Sequence, residues 1–473
     1  MRKIEFFRSV PHSVRTLSAF FLAIFVLAWV WLQGGKYRPD DSDDAWSLAY
    51  CYDYAHHGIV VDRVSGYTQD QAGVQYFGKT YARITAVVLD NLGWTKTTGH
   101  ILPLAFLLVG IALWVPLLKF FGFSAGSIFA FVASAPLFEP FFSVSVCARP
   151  ESFIFMLATL AAFLFLRGGY FLCSLVIGLA AETHPTGGVV ALSYVLAVVF
   201  GGREFLGHWL KKPWSVVGPI LLGGVLSVAY FVWLHADVLA RLPSFLLQSN
   251  SPRGGQFPNL LFVYFFQTKF LRHLPELAVF LVAVFFYFKK GLARSNLFLT
   301  ALFGLSFLLS LILRHPNFHY AIFCFPAFLL LTLQMAERLG RTGWLLIGWL
   351  VLLAPQYLMI AYMNRSFDFG REISEIEEAV PQDPLPVLGG ANDWYVFHDR
   401  EFYFNFYMDR QTPFQGKEFY LIEDDGYRAL PLDRKRWIEQ GFRAEPVQDL
   451  SINGRHFSIL RETARKPVGH SGL

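Results

Sequence analysis

The sequence predicts an all-α polytopic membrane protein with a small external α/β or α+β domain at its C-terminal end, and three observations carry that expectation. Hydrophobic residues make up 54% of the 473-residue chain and the mean hydropathy is +0.42, too apolar for a soluble protein of this length. The apolar residues gather in runs close to the ~20 residues that a helix needs to cross about 30 Å of hydrocarbon. After Tyr362 those runs stop, and charged residues of both signs alternate with short apolar stretches.

The first run, residues 17–33, follows Arg2, Lys3, Arg8 and Arg15. The basic start is that of a signal peptide, but no small-residue cleavage site follows Trp29 to Gln33, so the run reads as a retained helix. Further runs lie at about 101–119, 124–146, 151–166, 170–182, 187–200, 214–234, 274–288, 295–313, 318–335 and 342–361. Together they predict about eleven spans. Between 151 and 200, Arg167-Gly168-Gly169 and Thr183-His184-Pro185 are either true loops or breaks in tilted helices.

Basic residues in short loops set the orientation. With eleven spans, the N-terminal arginines, Arg203 with Lys211 and Lys212, Lys289 with Lys290 and Arg294, and Arg338 with Arg341 all fall on one side. That side is the cytoplasm, and the N-terminus lies there. Loop 34–99, loop 235–273, the Arg314–Tyr320 turn and the tail then share the external face.

Residues 1–363 thus form the expected transmembrane domain, and residues 364–473 the external soluble one. In the tail, LPVLGG, EFYFNFYMD and HFSILRE alternate as strands do, and about 110 residues can bury a modest core. Its charges are mixed, so no nucleic-acid stripe is present. The net charge of +5 is explained by the basic cytoplasmic loops. Cys51, Cys147, Cys173 and Cys324 show no CxxC spacing, which points to neither a zinc site nor a disulfide framework. Short loops and the lack of retention signals fit a bacterial inner membrane.

Polar residues in or beside a span are costly and usually have work to do. Four places on the external side supply candidates. Asp43 and Asp44, with Asp40 and Asp41 upstream, open a short amphipathic helix through Tyr50, where the helix dipole favours acids; the alternative is a helix cap with solvated carboxylates. Lys79 and Arg83 stand at i and i+4 on one helix face beside Tyr76, Phe77 and Tyr81, either as a phosphate grip or as snorkelling interfacial side chains. Arg149-Pro150-Glu151 and Glu182-Thr183-His184-Pro185 mark two external junctions, where Arg149 either shapes a pocket or simply pairs with Glu151, and His184 is either a ligand group or a packed histidine. His315, His319 and Tyr320 with Arg314 form a turn suited to an anion, and one that lacks the carboxylates a metal would need.

Taken together, these residues resemble the motifs of the GT-C superfamily of integral-membrane glycosyltransferases, in the branch with protein O-mannosyltransferases and lipid A aminoarabinose transferases. That branch carries an acid pair followed by an Ala-aromatic stretch after span one, a Lys-Pro-like element in the same loop, an Arg-Pro-acid turn and an Arg-Tyr-like element near the last spans. The counterparts here are Asp43-Asp44 with Ala45-Trp46, Lys79, Arg149-Pro150-Glu151, and His319-Tyr320 ahead of Phe325-Pro326, so that the resemblance runs over about residues 15–362.

The resemblance implies sugar transfer from a polyprenyl-phosphate donor to a lipid, glycan or protein acceptor on the external face, without a nucleotide-sugar; metal dependence varies within the superfamily, only the Asp40–Asp44 cluster could supply converging acids, and the expectation is of no metal or other cofactor. It implies Asp43 as general base with Asp44 as neighbour or substitute. Lys79 and Arg83 would hold the phosphate, and Arg149, His184, His319 and Tyr320 would shape the donor pocket. The chain departs from the pattern at Gly78, where an acid is usual, at Thr80, where proline is, and at His184, where lysine is common. A transporter or flippase of lipid-linked sugars is the rival outside enzymes, but such proteins show internal repeats and midplane broken helices, whereas these polar groups gather at one membrane face. An oligosaccharide polymerase or ligase is the nearest rival within them.

Overall fold

The structure is a computed structural model that describes residues 42–59, 64, 78–201, 213–241, 274–290, 302, 318–323, 325–365, 367–404, 418–424 and 442–464. The apolar runs become helices. After α1 (Ser42–His57) and α2 (Lys79–Leu92) come α3 (Ile101–Phe120), α4 (Ala125–Ser134), α5 (Glu139–Ser145), α6 (Glu151–Leu166), α7 (Tyr170–Thr183), α8 (Pro185–Gly201), α9 (Pro213–Leu234), α10 (Leu274–Lys290), α11 (Phe325–Arg338) and α12 (Thr342–Asn364). Local signals set their ends. Ser124 accepts from Ser127 N at the start of α4, and Thr95 with Thr98 forms a reciprocal capping box on the helical turn Lys96–Gly99 that leads into α3.

Among the described residues three helical segments are long and apolar enough to cross a membrane: Lys96–Phe120, Pro213–Leu234 and Thr342–Tyr362. A fourth is formed if Ala125–Leu137 and Glu139–Ser145, bent 57° against each other, count as one span. This is fewer than the eleven expected. The breaks at Arg167-Gly168-Gly169 and His184 cut the middle of the chain into α6, α7 and α8, of which α6 with 16 residues is only about 24 Å long. The runs 17–33 and, Leu302 apart, 295–313 lie outside the described residues.

Helix packing relies on small residues. A Cβ at Gly223 of α9 would stand 2.7 Å from Phe171 O and 2.8 Å from Ser174 Cβ, so that glycine lets α9 lie directly on α7, where Ser174 Oγ donates to Ile220 O at 2.9 Å. The outward side of α9 exposes Leu221, Leu222, Val225, Val228 and Trp233, and that of α12 exposes Trp344, Ile347, Val351 and Leu358. Such continuous apolar strips suit a lipid solvent.

After α12 the chain forms α13 (Phe369–Ala379) and a five-stranded sheet, β1 (Val387–Gly389), β2 (Phe402–Phe404), β3 (Glu418–Asp424), β4 (Phe442–Ile452) and β5 (Arg455–Ala464), in the order β2-β1-β3-β5-β4. β1 pairs parallel with β2 and β3, while β5 pairs antiparallel with β3 and β4. The β4–β5 turn is Asn453-Gly454, both at positive φ (55° and 74°), as a two-residue type I′ hairpin requires. Strand alternation divides the side chains: Phe402, Phe404, Tyr420, Ile422, Phe457 and Ile459 join the main core, and Tyr403, Phe419, Leu421 and Leu460 form a smaller cluster with Leu388. The main core runs without interruption from the helices into the sheet, which docks on the loop that holds α1. Phe404 N donates to Val64 O at 2.8 Å, Tyr52 OH to Asp399 Oδ1 at 2.7 Å, and buried Lys96 reaches Asn392 Oδ1 at 3.3 Å with its ammonium 4.5 Å from the Phe369 ring centroid.

Candidate active site

α1 carries the acid pair in its first turn. The side chain of Asp43 lies outside the described residues. Asp44 is not a solvated acid: it is 3% exposed, Oδ2 accepts from His100 Nε2 at 2.6 Å and from Tyr395 OH at 3.0 Å, and Oδ1 accepts from Ala148 N. Burial pushes its carboxyl up, but the charge and hydrogen bond of His100, the bond from Ala148 N and the charge of Lys96 more than offset this and hold it below its ordinary value. Asp44 therefore ties the α1 loop, the start of α3, the turn before Arg149 and the C-terminal unit together.

α2 begins at Lys79 because Gly78 turns the chain. Gly78 has φ +84°, its N–H donates to Glu182 O at 2.9 Å, and a Cβ there would meet Thr183 O at 3.1 Å. The left-handed conformation and the close approach to the end of α7 account for glycine where an acid was expected. Lys79 is 1% exposed; its Nζ donates to Asp237 Oδ1 at 2.6 Å and Oδ2 at 2.8 Å and to Leu234 O at 3.1 Å. Arg83 is exposed, and its Nη2 donates to Tyr54 OH at 3.0 Å. Both cations stand against the Tyr54 ring, at 5.4 and 5.6 Å from its centroid, so the i, i+4 face is real. Beside them Glu182, buried, accepts on Oε1 from His235 Nε2 at 3.0 Å and from Thr80 N at 3.4 Å, while its Oε2 has no hydrogen-bond partner among the described residues.

Arg149 and Glu151 do pair, through Nε to Oε1 and Oε2 at 3.1 and 3.2 Å and Nη2 to Oε1 at 2.7 Å. The pair is also a gathering point: His184 and His319, far apart in sequence, both interact electrostatically with Glu151. His184 Nδ1 takes a hydrogen bond from Thr186 N at 3.3 Å and lies 2.9 Å from Thr186 Oγ1. His319 is buried in the 3-10 turn Phe318–Phe323, and the Tyr320 side chain beside it lies outside the described residues. Tyr81 OH, one turn inside α2, donates to Ala148 O at 3.0 Å and Arg149 O at 3.3 Å, joining the lysine helix to this second cluster. Among the described residues no group of three or more His, Cys, Asp or Glu is gathered to hold a metal ion. Cys51, Cys147 and Cys173 are buried and form no disulfide among the described residues.

The four places picked from the sequence thus converge. His100, His235, Asp237 and Tyr395 were not picked. His100 opens α3 and His235-Ala236-Asp237 follows α9, so the rule that polar groups at span ends have work to do reaches them. Tyr395 has no such signal.

The helices around this site, with the sheet docked on the α1 loop, make up a fold shared with solved structures. In particular, the chain superposes on two crystal structures of ArnT from Cupriavidus metallidurans, one bound to undecaprenyl phosphate and one in the apo state, with TM-scores of 0.58 and 0.60. The match covers 93% of this chain and 97% of theirs at 14% identity. No protein-family model matches the chain, and no curated protein does.

Proposed function

We propose that this protein transfers a sugar from a polyprenyl-phosphate-linked donor to a lipid, glycan or protein acceptor at the external face of a bacterial inner membrane. Residues 1–363 span the membrane in about eleven helices with the N-terminus cytoplasmic, and residues 364–473 form the external domain over the site. One observation supports the reading: a lysine 1% exposed stands at the N-terminus of α2, against the Tyr54 ring of α1 that it shares with Arg83, in a fold seen in a protein crystallised with undecaprenyl phosphate.

The chemistry follows from the charges. Asp43 takes the proton from the acceptor as the acceptor atom attacks the anomeric carbon; the bond from that carbon to the phosphate oxygen breaks, and polyprenyl phosphate leaves with the electron pair. Lys79 and Arg83 take up the charge on the phosphate, aided by the positive end of α2. Attack opposite the leaving group inverts the anomeric configuration. Arg149, His184, His319 and Tyr320 wall the donor pocket. Asp44, with its hydrogen-bonding positions engaged by His100, Ala148 and Tyr395, positions the loop that presents Asp43.

The test is donor consumption by the purified protein in detergent with synthetic polyprenyl-phosphate sugars, comparing wild type with Asp43→Asn. Transfer by wild type and none by a folded Asp43→Asn is the expected result. Binding of lipid-linked sugars without consumption, across a broad panel, would replace this reading with a transporter.

A further inference from the structure

Lys79 meets its proposed ligand with its charge already matched. Among the described residues its ammonium hydrogen-bonds to Asp237, through both carboxylate oxygens, and to Leu234 O, and stands 5.4 Å from the Tyr54 ring centroid. The two halves of the ion pair differ in exposure: the Lys79 side chain is 2% exposed and that of Asp237 is 52% exposed. A buried ammonium with no counter-ion would lose its proton or destabilise the fold, so the donor-free protein needs an anion here. A phosphate needs the same position. Of the acids nearby, Glu182 is held by His235 and by Thr80 N and is 1% exposed, whereas Asp237 sits in the open turn after α9 and can rehydrate at little cost. Leu234 O, at the negative end of α9, stays with the lysine when the carboxylate leaves.

We infer that Asp237 is a placeholder anion: its carboxylate occupies the phosphate position on Lys79 until a polyprenyl phosphate displaces it, so donor binding releases the turn 235–238. This rests on the assignment of Lys79 to the donor phosphate. The rival is a permanent structural ion pair, which would make Asp237 a stabiliser of Lys79 and never a competitor of the ligand.

The experiment measures the affinity of the purified full-length protein for synthetic polyprenyl phosphate in wild type, Asp237→Asn and Asp90→Asn. Asp90 is an exposed acid on the same helix that pairs with His56, so its neutralisation makes the same charge change away from Lys79. Asp237→Asn is expected to bind about threefold to tenfold tighter, and Asp90→Asn to stay near wild type. In wild type, amide hydrogen exchange in 235–238 is expected to speed up when polyprenyl phosphate is added, a readout that needs no variant. An Asp237→Asn affinity that is unchanged, weaker or tightened no more than in Asp90→Asn overturns the inference, as does exchange that is unmoved or slowed in liganded wild type. Absence of binding by both wild type and Asp237→Asn overturns the assignment of Lys79 itself and the inference with it.

Discussion

Asp44→Asn distinguishes an anchor from a base. The carboxylate accepts from His100 Nε2, Tyr395 OH and Ala148 N while 3% exposed. Asparagine keeps one acceptor oxygen and turns an NH2 group toward a site that holds only donors. At least one hydrogen bond to a charged group is lost, at about 1.5–3 kcal/mol, and a buried donor is left unmet, for a total of about 3–5 kcal/mol. Tyr395→Phe removes a single hydroxyl and costs about 1 kcal/mol. Because the two share one bond, the double variant loses less than the two singles together. The assay is thermal unfolding of the purified protein in detergent. Acid adds a second reading: the carboxyl is held below its ordinary 3.8, so its contribution is complete above that value and is lost as pH falls through the lower folded value. Wild type should lose stability below about pH 3.8, and Asp44→Asn should flatten that limb. An Asp44→Asn protein that melts like wild type but transfers no sugar would refute the anchor and make Asp44 the base.

Gly78→Ala must accept φ +84° and a Cβ 3.1 Å from Thr183 O, so we expect a loss of about 1–2 kcal/mol or more and weaker polyprenyl-phosphate binding as Lys79 shifts; wild-type affinity in a titration would contradict this. Lys79→Ala is expected to lower that affinity about tenfold to a hundredfold, measured in the same titration, and an unchanged value would remove Lys79 from the phosphate site. Glu151→Gln breaks a buried bidentate pair and should cost about 3–5 kcal/mol, whereas Arg149→Met with Glu151→Leu should melt closer to wild type; equal losses in the two proteins would show that the pair itself does not govern stability.

The sequence made the helices legible wherever apolar runs were bounded by strong breakers. The run 151–166 became α6 and 214–234 became α9 because Pro150, Arg167-Gly168 and Pro213 interrupt the periodicity beside them. The run 124–146 hid a break, since Pro136 and Pro140 bend the chain by 57° inside an otherwise apolar stretch. In the tail, LPVLGG and HFSILRE are seen in β1 and β5, but β4 was missed although Asn453-Gly454 announces the hairpin; its exposed polar alternation lacks the apolar face that was used as the signal. Lys79, Arg83, Arg149, His184 and His319 could be picked as unusual residues, yet Asp237, His235 and Tyr395 become visible only once the fold brings α9 and the C-terminal unit to them.

Most of the polar groups of the site share one property that composition does not reveal: they stand at an end of a helix. Asp44 is in the first turn of α1, Lys79 begins α2, Glu151 begins α6, Glu182 and His184 flank the break between α7 and α8, and Asp237 follows α9. Helix ends in or near lipid leave backbone groups that need partners, which alone would collect polar residues there. What goes beyond capping is the balance of formal charge. Lys79 faces Asp237 and Arg149 faces Glu151, and of these two anions only Asp237 is open to water. A polyprenyl-phosphate sugar is a phosphodiester with one negative charge. Its exchange for Asp237 would keep one negative charge on Lys79, whereas binding beside a retained Asp237 would place two anions on one ammonium. In the proposed reaction the lipid leaves as a phosphomonoester with a further negative charge, which a returning Asp237 carboxylate would help to expel. The proposed exchange thus gives one aspartate two tasks, to neutralise Lys79 in the empty site and to hasten product release.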